Sequence, residues 1–315
     1  MAQYTGQIIS ILVAMSWTAT ALFADIASHR LGALSLNLIR MAMSLVMLAI
    51  LLVIATGSPY PAYADASTWF WLTLSGLVGY VFGDYCLFNS YIIFGSRYGQ
   101  LFMTLSPPLA GIAGWLMLGE TMSWRSWLAM LVTLSGIAIS ILVKGDGERG
   151  RKVELKLPLK GILFGIGAGM GQGLGLVLSK IGIAHYSAAL PVGQDVAVSG
   201  VLPFAGTFIR AVAGFLGFLI IISIKGRLGN VKTALADRKG MKFAVLTTFF
   251  GPFLGVSMSL MAVQYAEAGI ASTLMALTPV LIIAPYSIIY HQKVTVKEVF
   301  GTLVTIAGVA MFFLL

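Results

Sequence analysis

Charged residues are scarce in this chain, and their scarcity excludes a water-soluble fold. Only 10% of the 315 residues are Asp, Glu, Lys or Arg, whereas 58% are hydrophobic. A soluble domain could not cover so much apolar surface, because surface area grows too quickly relative to volume. The apolar surface must therefore face lipid, and the bilayer is the first partner that we predict.

Cysteine and histidine are also rare, which limits the chemistry available. The single cysteine, Cys86, cannot form an internal disulfide or a thiolate cluster for a metal. The three histidines lie near predicted helix ends, and HExxH, GxSxG and GxxxxGK[ST] motifs are missing. We therefore expect no cofactor, no metal, no catalytic residues and no ATP drive. Nucleic acid is not an expected partner for so apolar a chain, despite its net charge of +9.

Long apolar runs are abundant, and they predict ten membrane-spanning helices. A span needs about 20 mostly apolar residues. Lipid offers no partner for unpaired backbone groups, which favours helices over strands for runs of this length. The predicted spans cover residues 5–27, 34–55, 69–93, 97–118, 123–143, 160–183, 204–224, 242–265, 269–290 and 295–315.

The two halves of the chain resemble one another, which indicates an internal duplication. At an offset of 172 residues, LVTLSGIA (131–138) lies over LVTIAGVA (303–310), with five of eight residues identical. Matches of Gly, Pro and Arg residues are the strongest evidence for the duplication. Gly79 matches Gly251 and Pro107 matches Pro279 at offset 172, and Arg40 matches Arg210 at offset 170.

Five spans per repeat is an odd number, so the second repeat starts on the opposite side of the membrane. We predict an all-α membrane protein of ten transmembrane helices, arranged as two inverted five-helix repeats. The first repeat is expected over residues 1–144 and the second over 160–315, with a basic linker loop over 145–159. Such a fold has two symmetry-related conformations, one open to each side.

Basic residues predict the orientation in the membrane. Sixteen of the twenty fall on one face of the predicted bundle, twelve of them within residues 144–160 and 225–242. Loops rich in Lys and Arg stay cytoplasmic. We therefore expect a multi-pass protein of the cell membrane whose termini are both non-cytoplasmic.

Segments around the matched prolines resemble a known family. SPPLAGIAGWLMLGETMSWRSWLAMLVTLSGIAIS (106–140) and TPVLIIAPYSIIYHQKVTVKEVFGTLVTIAGVAMF (278–312) resemble the second part of an EamA-type repeat of the drug/metabolite transporter superfamily. NLIRMAMSLV (37–46) and TFIRAVAGFL (207–216) are similar to that family's second span. The resemblance covers nearly the whole chain and implies a secondary carrier, often an exporter driven by proton or substrate gradients.

The chain departs from the family pattern at two points. The family's acidic residue after span four is Glu120 here, but the equivalent in the second repeat is Gln292. A role that needs a charge in both halves is therefore not expected. Many members also place their termini in the cytoplasm, whereas the distribution of basic residues predicts the opposite.

Polar residues that break the repeat are candidates for the substrate site, since shared residues more plausibly serve the scaffold. Asp84 lies near the middle of span three, where a carboxylate is costly, and its equivalent is Val256. On a helical wheel it shares an arc with Tyr80 and Tyr91, as in a cavity wall. Asp84 is either a substrate-binding and proton-coupling residue or a buried aspartate paired with a lysine or arginine.

Arg40 and Arg210 lie one or two turns inside their spans. One interpretation is that both are helix-end arginines that reach water or bond backbone carbonyls. The alternative is a pair of anion clamps that face a central cavity.

Trp17 of span one and Gln172 of span six occupy equivalent positions, and both are predicted to line the pathway; a packed aromatic is the alternative for Trp17. Gln172 lies among glycines spaced by four, which include Gly165 and Gly169. This row predicts close approach of another helix or a gating hinge.

Pro107 and Pro279 interrupt spans four and nine, because proline lacks a backbone donor. Matched interruptions indicate a midplane site in inverted-repeat carriers, and a static kink is the alternative. Gln100 and Thr104 lie on the face of Pro107 and complete the predicted substrate-binding set.

Together these features predict a secondary transporter. The expected solute is an amino acid, amine or similar metabolite, exported by alternating access, with protons as a coupled ion. The alternative solute is a sugar phosphate or other organic anion bound by Arg40 and Arg210. A channel or an embedded enzyme is disfavoured, since no ring of repeated charges or catalytic motif is present. A monomer suffices, because one chain holds both halves.

Overall fold

The computed structural model describes residues 4–142, 158–191, 195–290 and 295–314, and every regular element within these ranges is helical. Most of the predicted linker loop, and Gln292, lie outside them. The first half contains α1 (Thr5–Leu31), α2 (Ala33–Thr56), α3 (Ala66–Gly76), α4 (Tyr85–Phe102), α5 (Ser106–Leu118) and α6 (Trp124–Leu142). The second contains α7 (Leu159–Ala188), α8 (Asp195–Ile224), α9 (Leu228–Ala236), α10 (Arg238–Thr248), α11 (Ser257–Tyr265), α12 (Ala268–Met275), α13 (Thr278–Leu281), α14 (Ile283–Tyr290) and α15 (Val296–Leu314).

Nine helical stretches in the described part of the chain are long and apolar enough to cross a membrane. Ten spans are predicted from the sequence, and the one not among the nine is α6, a helix of 19 residues. The short helix α9 lies in a stretch predicted to be a loop. The helical architecture in two halves agrees with the sequence analysis, while the number of spans is not fixed at ten.

Both halves contain a π-helical segment at the same repeat position. Leu77–Asp84 follows α3, and Phe249–Val256 follows α10. The offset of 172 that relates the two sequences superposes the ends of these two segments. A π-helix widens the turn and is found mostly at functional sites. The composition of the segments does not distinguish them from α-helix.

Each half also has a broken helix immediately before its matched proline. Residues Met103–Leu105 form a 3₁₀ turn before α5, and α12 ends at Met275 before α13 begins at Thr278. Pro107 and Pro279 then lie in the first turn of the following helix, where the absent proline N–H leaves no bond unmade. The interruptions predicted at these prolines therefore lie just before them.

Equivalent helices of the two halves pack against one another in opposite directions. In the contact of α6 with α15, a Cβ on Gly308 would lie 2.5 Å from the Thr133 nitrogen, and a Cβ on Gly136 would collide with the Thr305 nitrogen. The offset of 172 maps Thr133 onto Thr305 and Gly136 onto Gly308, so each contact is the counterpart of the other. The two helices are therefore antiparallel and related by an approximate two-fold axis.

Helix α7 is held between the two irregular stretches of the first half by glycines on two faces. A Cβ on Gly171 would lie 2.5 Å from the Gly83 Cα in the π-helical segment. On the other face, a Cβ on Gly165 would collide with the Phe102 ring, and one on Gly169 would lie 2.7 Å from the Phe102 carbonyl oxygen. The predicted glycine row thus lets α7 pack closely against the broken fourth span.

Ion pairs between the two halves hold the two ends of the bundle. At one end, Arg30 Nε and Nη2 donate to the two carboxylate oxygens of Asp237 at 2.8 and 2.9 Å. At the other end, Lys180 pairs with Glu120 and also donates to the Ala266 carbonyl oxygen at 2.7 Å. Each pair joins a helix of one half to a loop of the other.

Candidate functional site

A small cavity of about 20 Å³ lies at the centre of the bundle, between the two halves. It borders the irregular stretches, since one lining residue follows the break in the fourth span and another ends the second π-helical segment. Three of its eight lining residues are apolar or aromatic, and the other five carry hydroxyl, amide or guanidinium groups. The lining residues are Trp17, Ser106, Gln172, Leu176, Arg210, Val256, Ser259 and Ser272.

A buried ion pair lies beside the cavity. Asp84, the last residue of the first π-helical segment, accepts a hydrogen bond from Arg40 Nη2 at 2.7 Å through Oδ2. Its other oxygen, Oδ1, accepts one from Gln172 Nε2 at 2.7 Å. Arg40 is 3% exposed and Asp84 7% exposed. Of the two interpretations of Asp84, the geometry agrees with the aspartate paired to an arginine, and the pair neutralises both charges.

The Arg40 side chain is further fixed by an aromatic ring. Its guanidinium carbon lies 4.6 Å from the centroid of the Phe88 ring. A cation over a ring face is attracted by the ring's quadrupole, so this contact adds to the attraction of the carboxylate. Arg40 is therefore held by charge and by packing, inside the protein rather than at a helix end in water.

Arg210, the equivalent of Arg40 in the second half, has a different environment. It is 4% exposed, and its guanidinium carbon lies 4.9 Å from the centroid of the Tyr80 ring. Within the described part of the chain, its Nε has no hydrogen-bond partner, and neither does the Tyr80 hydroxyl. The two arginines are thus equivalent in sequence, and one faces a carboxylate while the other faces a ring and the cavity.

Trp17 and Gln172 both line the cavity, as their equivalent positions in the repeat predict. The Trp17 indole packs against the second π-helical segment, where a Cβ on Gly255 would lie 2.8 Å from its Nε1. Gln172 contacts the first π-helical segment and donates weakly to the Gly79 carbonyl oxygen at 3.4 Å. The first helix of each half therefore carries one large polar or amphipathic side chain that contacts the π-helical segment of the other half.

Five residues of the predicted substrate-binding set are not in the cavity lining, namely Asp84 and Tyr80, described above, and Tyr91, Gln100 and Thr104. Gln100 Nε2 donates to the Tyr91 hydroxyl, and both side chains are buried. The Tyr91 ring packs against Phe88 with centroids 5.6 Å apart. Thr104 donates to the Leu101 carbonyl oxygen at 2.6 Å, within the broken part of the fourth span. Through Phe88, Tyr91 and Gln100 form a second layer behind Arg40.

The serines of the cavity are absent from the predicted set. Ser106 and Ser272 have hydroxyl oxygens 3.2 Å apart, and Ser259 lines the same space. Ser106 directly precedes Pro107, so the predicted helix break marks its neighbourhood. Nothing in the sequence distinguishes Ser259 or Ser272 from the many serines that bond the preceding turn of their own helix.

The acidic residues at the two ends of the bundle have pKa values that are shifted in opposite directions. The Arg30 guanidinium lowers the pKa of the Asp237 carboxyl below its ordinary value. At the opposite end, burial raises the pKa of Glu267, and the neighbouring charge of Glu120 raises it further. Lys180 opposes that rise only in part. In the described residues, no group of three His, Cys, Asp or Glu side chains is placed to hold a metal ion.

Comparison with known proteins agrees with this architecture. A solved crystal structure described only as a protein is 14% identical, covers 99% of this chain and 97% of its own, and superposes with a TM-score of 0.67, which shows a shared fold. No curated protein matches the chain. The EamA-like transporter family model matches residues 4–142 and 181–314, one match in each half. The resemblance predicted from the sequence is confirmed, and this multi-pass membrane protein belongs to the EamA-like transporter family.

Proposed function

We propose that this chain is a secondary transporter that carries a small organic metabolite through the central cavity by alternating access. The observation that carries the proposal is the position of the cavity. Helices of both halves line it, and irregular backbone that allows local bending borders it. Movement of one half against the other would open the cavity to one side and then to the other.

Ten inverted spans belong to the same proposal. The Tyr4 hydroxyl donates to the Phe313 carbonyl oxygen at 3.1 Å, so both ends of the described chain lie at one end of the bundle. This contact supports an even number of crossings, with α6 as the proposed tenth. The antiparallel packing of α6 on α15 supports inversion, because these helices are equivalent in the two repeats.

The cavity in this conformation is too small for a metabolite. Its volume of about 20 Å³ accommodates one water molecule. Both end ion pairs, Arg30 with Asp237 and Lys180 with Glu120, are formed at the same time. We interpret the conformation as closed at both ends, and solute entry requires one of the two pairs to separate.

Orientation and direction are further parts of the proposal. The distribution of basic residues supports a cell-membrane protein with both termini outside, and the resemblance to the family supports net export. In a Cys86→Ala background, a cysteine at Gly150 should resist an impermeant thiol reagent in intact cells. A cysteine at Tyr60, which is 62% exposed, serves as the matched control and should react. The reverse pattern would invert the orientation.

The function itself is tested by an export screen. Cells with and without the full chain are loaded with amino acids, nucleosides and sugar phosphates, and release into the medium is followed. We expect faster release of one class of metabolite, with a rate that saturates with internal concentration. A rate that never saturates would indicate a channel, and a chemically altered product would indicate an enzyme.

A further inference from the structure

Arg210 is a buried cation that forms no ion pair in the described part of the chain, because the nearby Asp84 carboxylate is bonded by Arg40 and Gln172. Within the described part of the chain, no hydrogen bond or ion pair involves its guanidinium, and it is 4% exposed. Its contact with the Tyr80 ring compensates part of the lost hydration. A buried charge is normally paired and hydrogen-bonded, because desolvation is otherwise costly. An anion is therefore expected beside this arginine.

The surroundings of Arg210 provide for such an anion. The hydroxyls of Ser106 and Ser272 line the same cavity, 3.2 Å apart, and because only one of them donates to the other, the hydrogen of the second is able to bond an oxygen ligand. The remaining walls include Leu176 and Val256, which suit the carbon skeleton of an organic solute. The cavity lining thus combines a cation, a neutral hydroxyl donor and an apolar wall.

The balance of charge favours a single negative charge. Arg40 is neutralised by Asp84, which leaves Arg210 as the cation among the described residues that line the cavity. A phosphate ester carries close to two negative charges and needs a second cation or metal. A carboxylate carries one charge, and its planar pair of oxygens matches the fork of a guanidinium.

We propose that Arg210 binds the carboxylate of the transported solute, which is therefore an amino acid or another small organic monoacid. This inference rests on the proposed transport through the central cavity and names the chemical class of its substrate. It gives the two arginines different roles: Arg40 holds Asp84 and Gln172 in place, and Arg210 holds the solute.

The first π-helical segment positions Arg210 for this role. A Cβ on Gly79 would lie 2.8 Å from Arg210 Nη2, so only glycine leaves the guanidinium where it is. The other neighbours of that Cβ lie at 3.9 Å or more, which is ordinary contact. Gly79→Ala should therefore displace the guanidinium while the packing of the helix is retained. At the equivalent position in the second half, a Cβ on Gly251 would meet only the Thr20 side chain, at 3.2 Å.

The test compares acids with their amides on the purified full chain. The probes are the twenty L-amino acids, lactate and propionate, the corresponding carboxamides, and inorganic phosphate. Binding is measured by thermal stabilisation and by intrinsic tryptophan fluorescence, to which the cavity residue Trp17 contributes. We expect at least one acid to bind and its amide to fail. Arg210→Gln and Arg210→Lys should weaken that binding about 10- to 100-fold, the range for a lost charged hydrogen bond.

Gly79→Ala should weaken binding of the same acid, and Gly251→Ala should leave it unchanged. Comparison of these two variants distinguishes displacement of the Arg210 guanidinium from a general effect of alanine in a π-helical segment. Equal binding of an acid and its amide, unchanged affinity in Arg210→Gln, binding of phosphate alone, or binding of no acid would each overturn the proposal.

Failure of this inference is distinguishable from failure of the proposed function. Saturable export of a neutral or cationic solute that survives Arg210→Gln would refute the carboxylate site and leave transport standing. Acid binding that depends on Arg210, without flux in cells or in liposomes, would refute transport and leave the binding site standing.

Discussion

Two arginines at equivalent positions have acquired different environments, and the difference shows how a duplicated fold becomes a specific one. Arg40 lies against Asp84 and the Phe88 ring, whereas Arg210 lies against the Tyr80 ring and the cavity. The repeat equivalent of Asp84 is Val256, so the counter-ion is missing from the second half. The duplication keeps the helical frame in both halves, and the halves diverge where polar side chains meet at the centre.

The largest expected effect contrasts removal of the two arginines. Arg40→Met leaves Asp84 as an unpaired buried carboxylate and should lower the free energy of unfolding by about 3–5 kcal/mol. Arg210→Met removes a buried cation that forms no ion pair with the other described residues, and it should not destabilise the chain. Thermal and denaturant unfolding in detergent micelles measures both. Arg40→Met combined with Asp84→Asn should recover most of the loss, and equal losses for the two arginines would contradict the assigned difference.

The second prediction restores the symmetry of the repeat. Val256→Asp places a carboxylate where the second half lacks one, beside the cavity that Arg210 lines. The new carboxylate should pair with Arg210 and reduce binding of an acidic solute about 100-fold, because the cation is already occupied. Val256→Asn introduces an uncharged side chain of the same size as aspartate, and it is the matched control in the same binding titration. Equal affinities of the two variants would show that Arg210 does not bind the solute's charge.

The third prediction concerns Asp84 itself. Asp84→Asn keeps the size of the side chain but leaves Arg40 without its counter-charge, so that two cations face the central region. We expect transport to fall about tenfold, or to lose its dependence on a proton gradient, at near-normal expression. The measurement is solute release at several external pH values. Full activity with an unchanged pH profile would remove Asp84 from the mechanism.

The smallest effect distinguishes the two ends of the bundle by pH. The lowered pKa of Asp237 means that its pairing with Arg30 stabilises the fold above its ordinary pKa of 3.8, and that this contribution is lost as pH falls further. The raised pKa of Glu267 has the opposite sign: stability is greatest below its ordinary pKa of 4.5 and is lost as pH rises through the folded value.

Two variants measure this contrast. At pH 7, Asp237→Asn should lower Tm and Glu267→Gln should raise it. The difference in Tm between Glu267→Gln and the parent should vanish as pH falls below 4.5. The difference in Tm between Asp237→Asn and the parent should vanish only at a pH below 3.8. Shifts of the same sign in both variants would show that the two ends are held alike.

Much of the frame could be predicted from the sequence, because lipid imposes a simple rule on each span. Apolar length marks the helices, and matched glycines and prolines mark the repeat and its broken spans. Gly165 and Gly169 were predictable as packing positions, since small residues spaced by four form a flat helix face. Trp17 and Gln172 were predictable as cavity residues, because equivalent positions in an approximate two-fold arrangement face the same axis.

The contents of the cavity could not be predicted in the same way. The first π-helical segment changes the angle between Tyr80 and the residues that follow it, so a regular wheel does not describe Tyr80 relative to Asp84. Tyr91 does lie on the Asp84 side of α4, but about two turns further along, in a second layer behind Phe88. The pairing of Asp84 with Arg40 rather than with Arg210 depends on which helices meet across the bundle. That choice is a tertiary contact between residues 44 positions apart, and periodicity carries no information about it.

Accelerated exchange across a liposome membrane tests the central claim most directly. Purified protein is reconstituted with the labelled solute from the export screen inside, and unlabelled solute is added outside. Alternating access through one cavity predicts faster release of the label when unlabelled solute is present on the opposite side, with saturation and without ATP. Release that ignores the opposite side and rises in proportion to concentration would contradict a carrier.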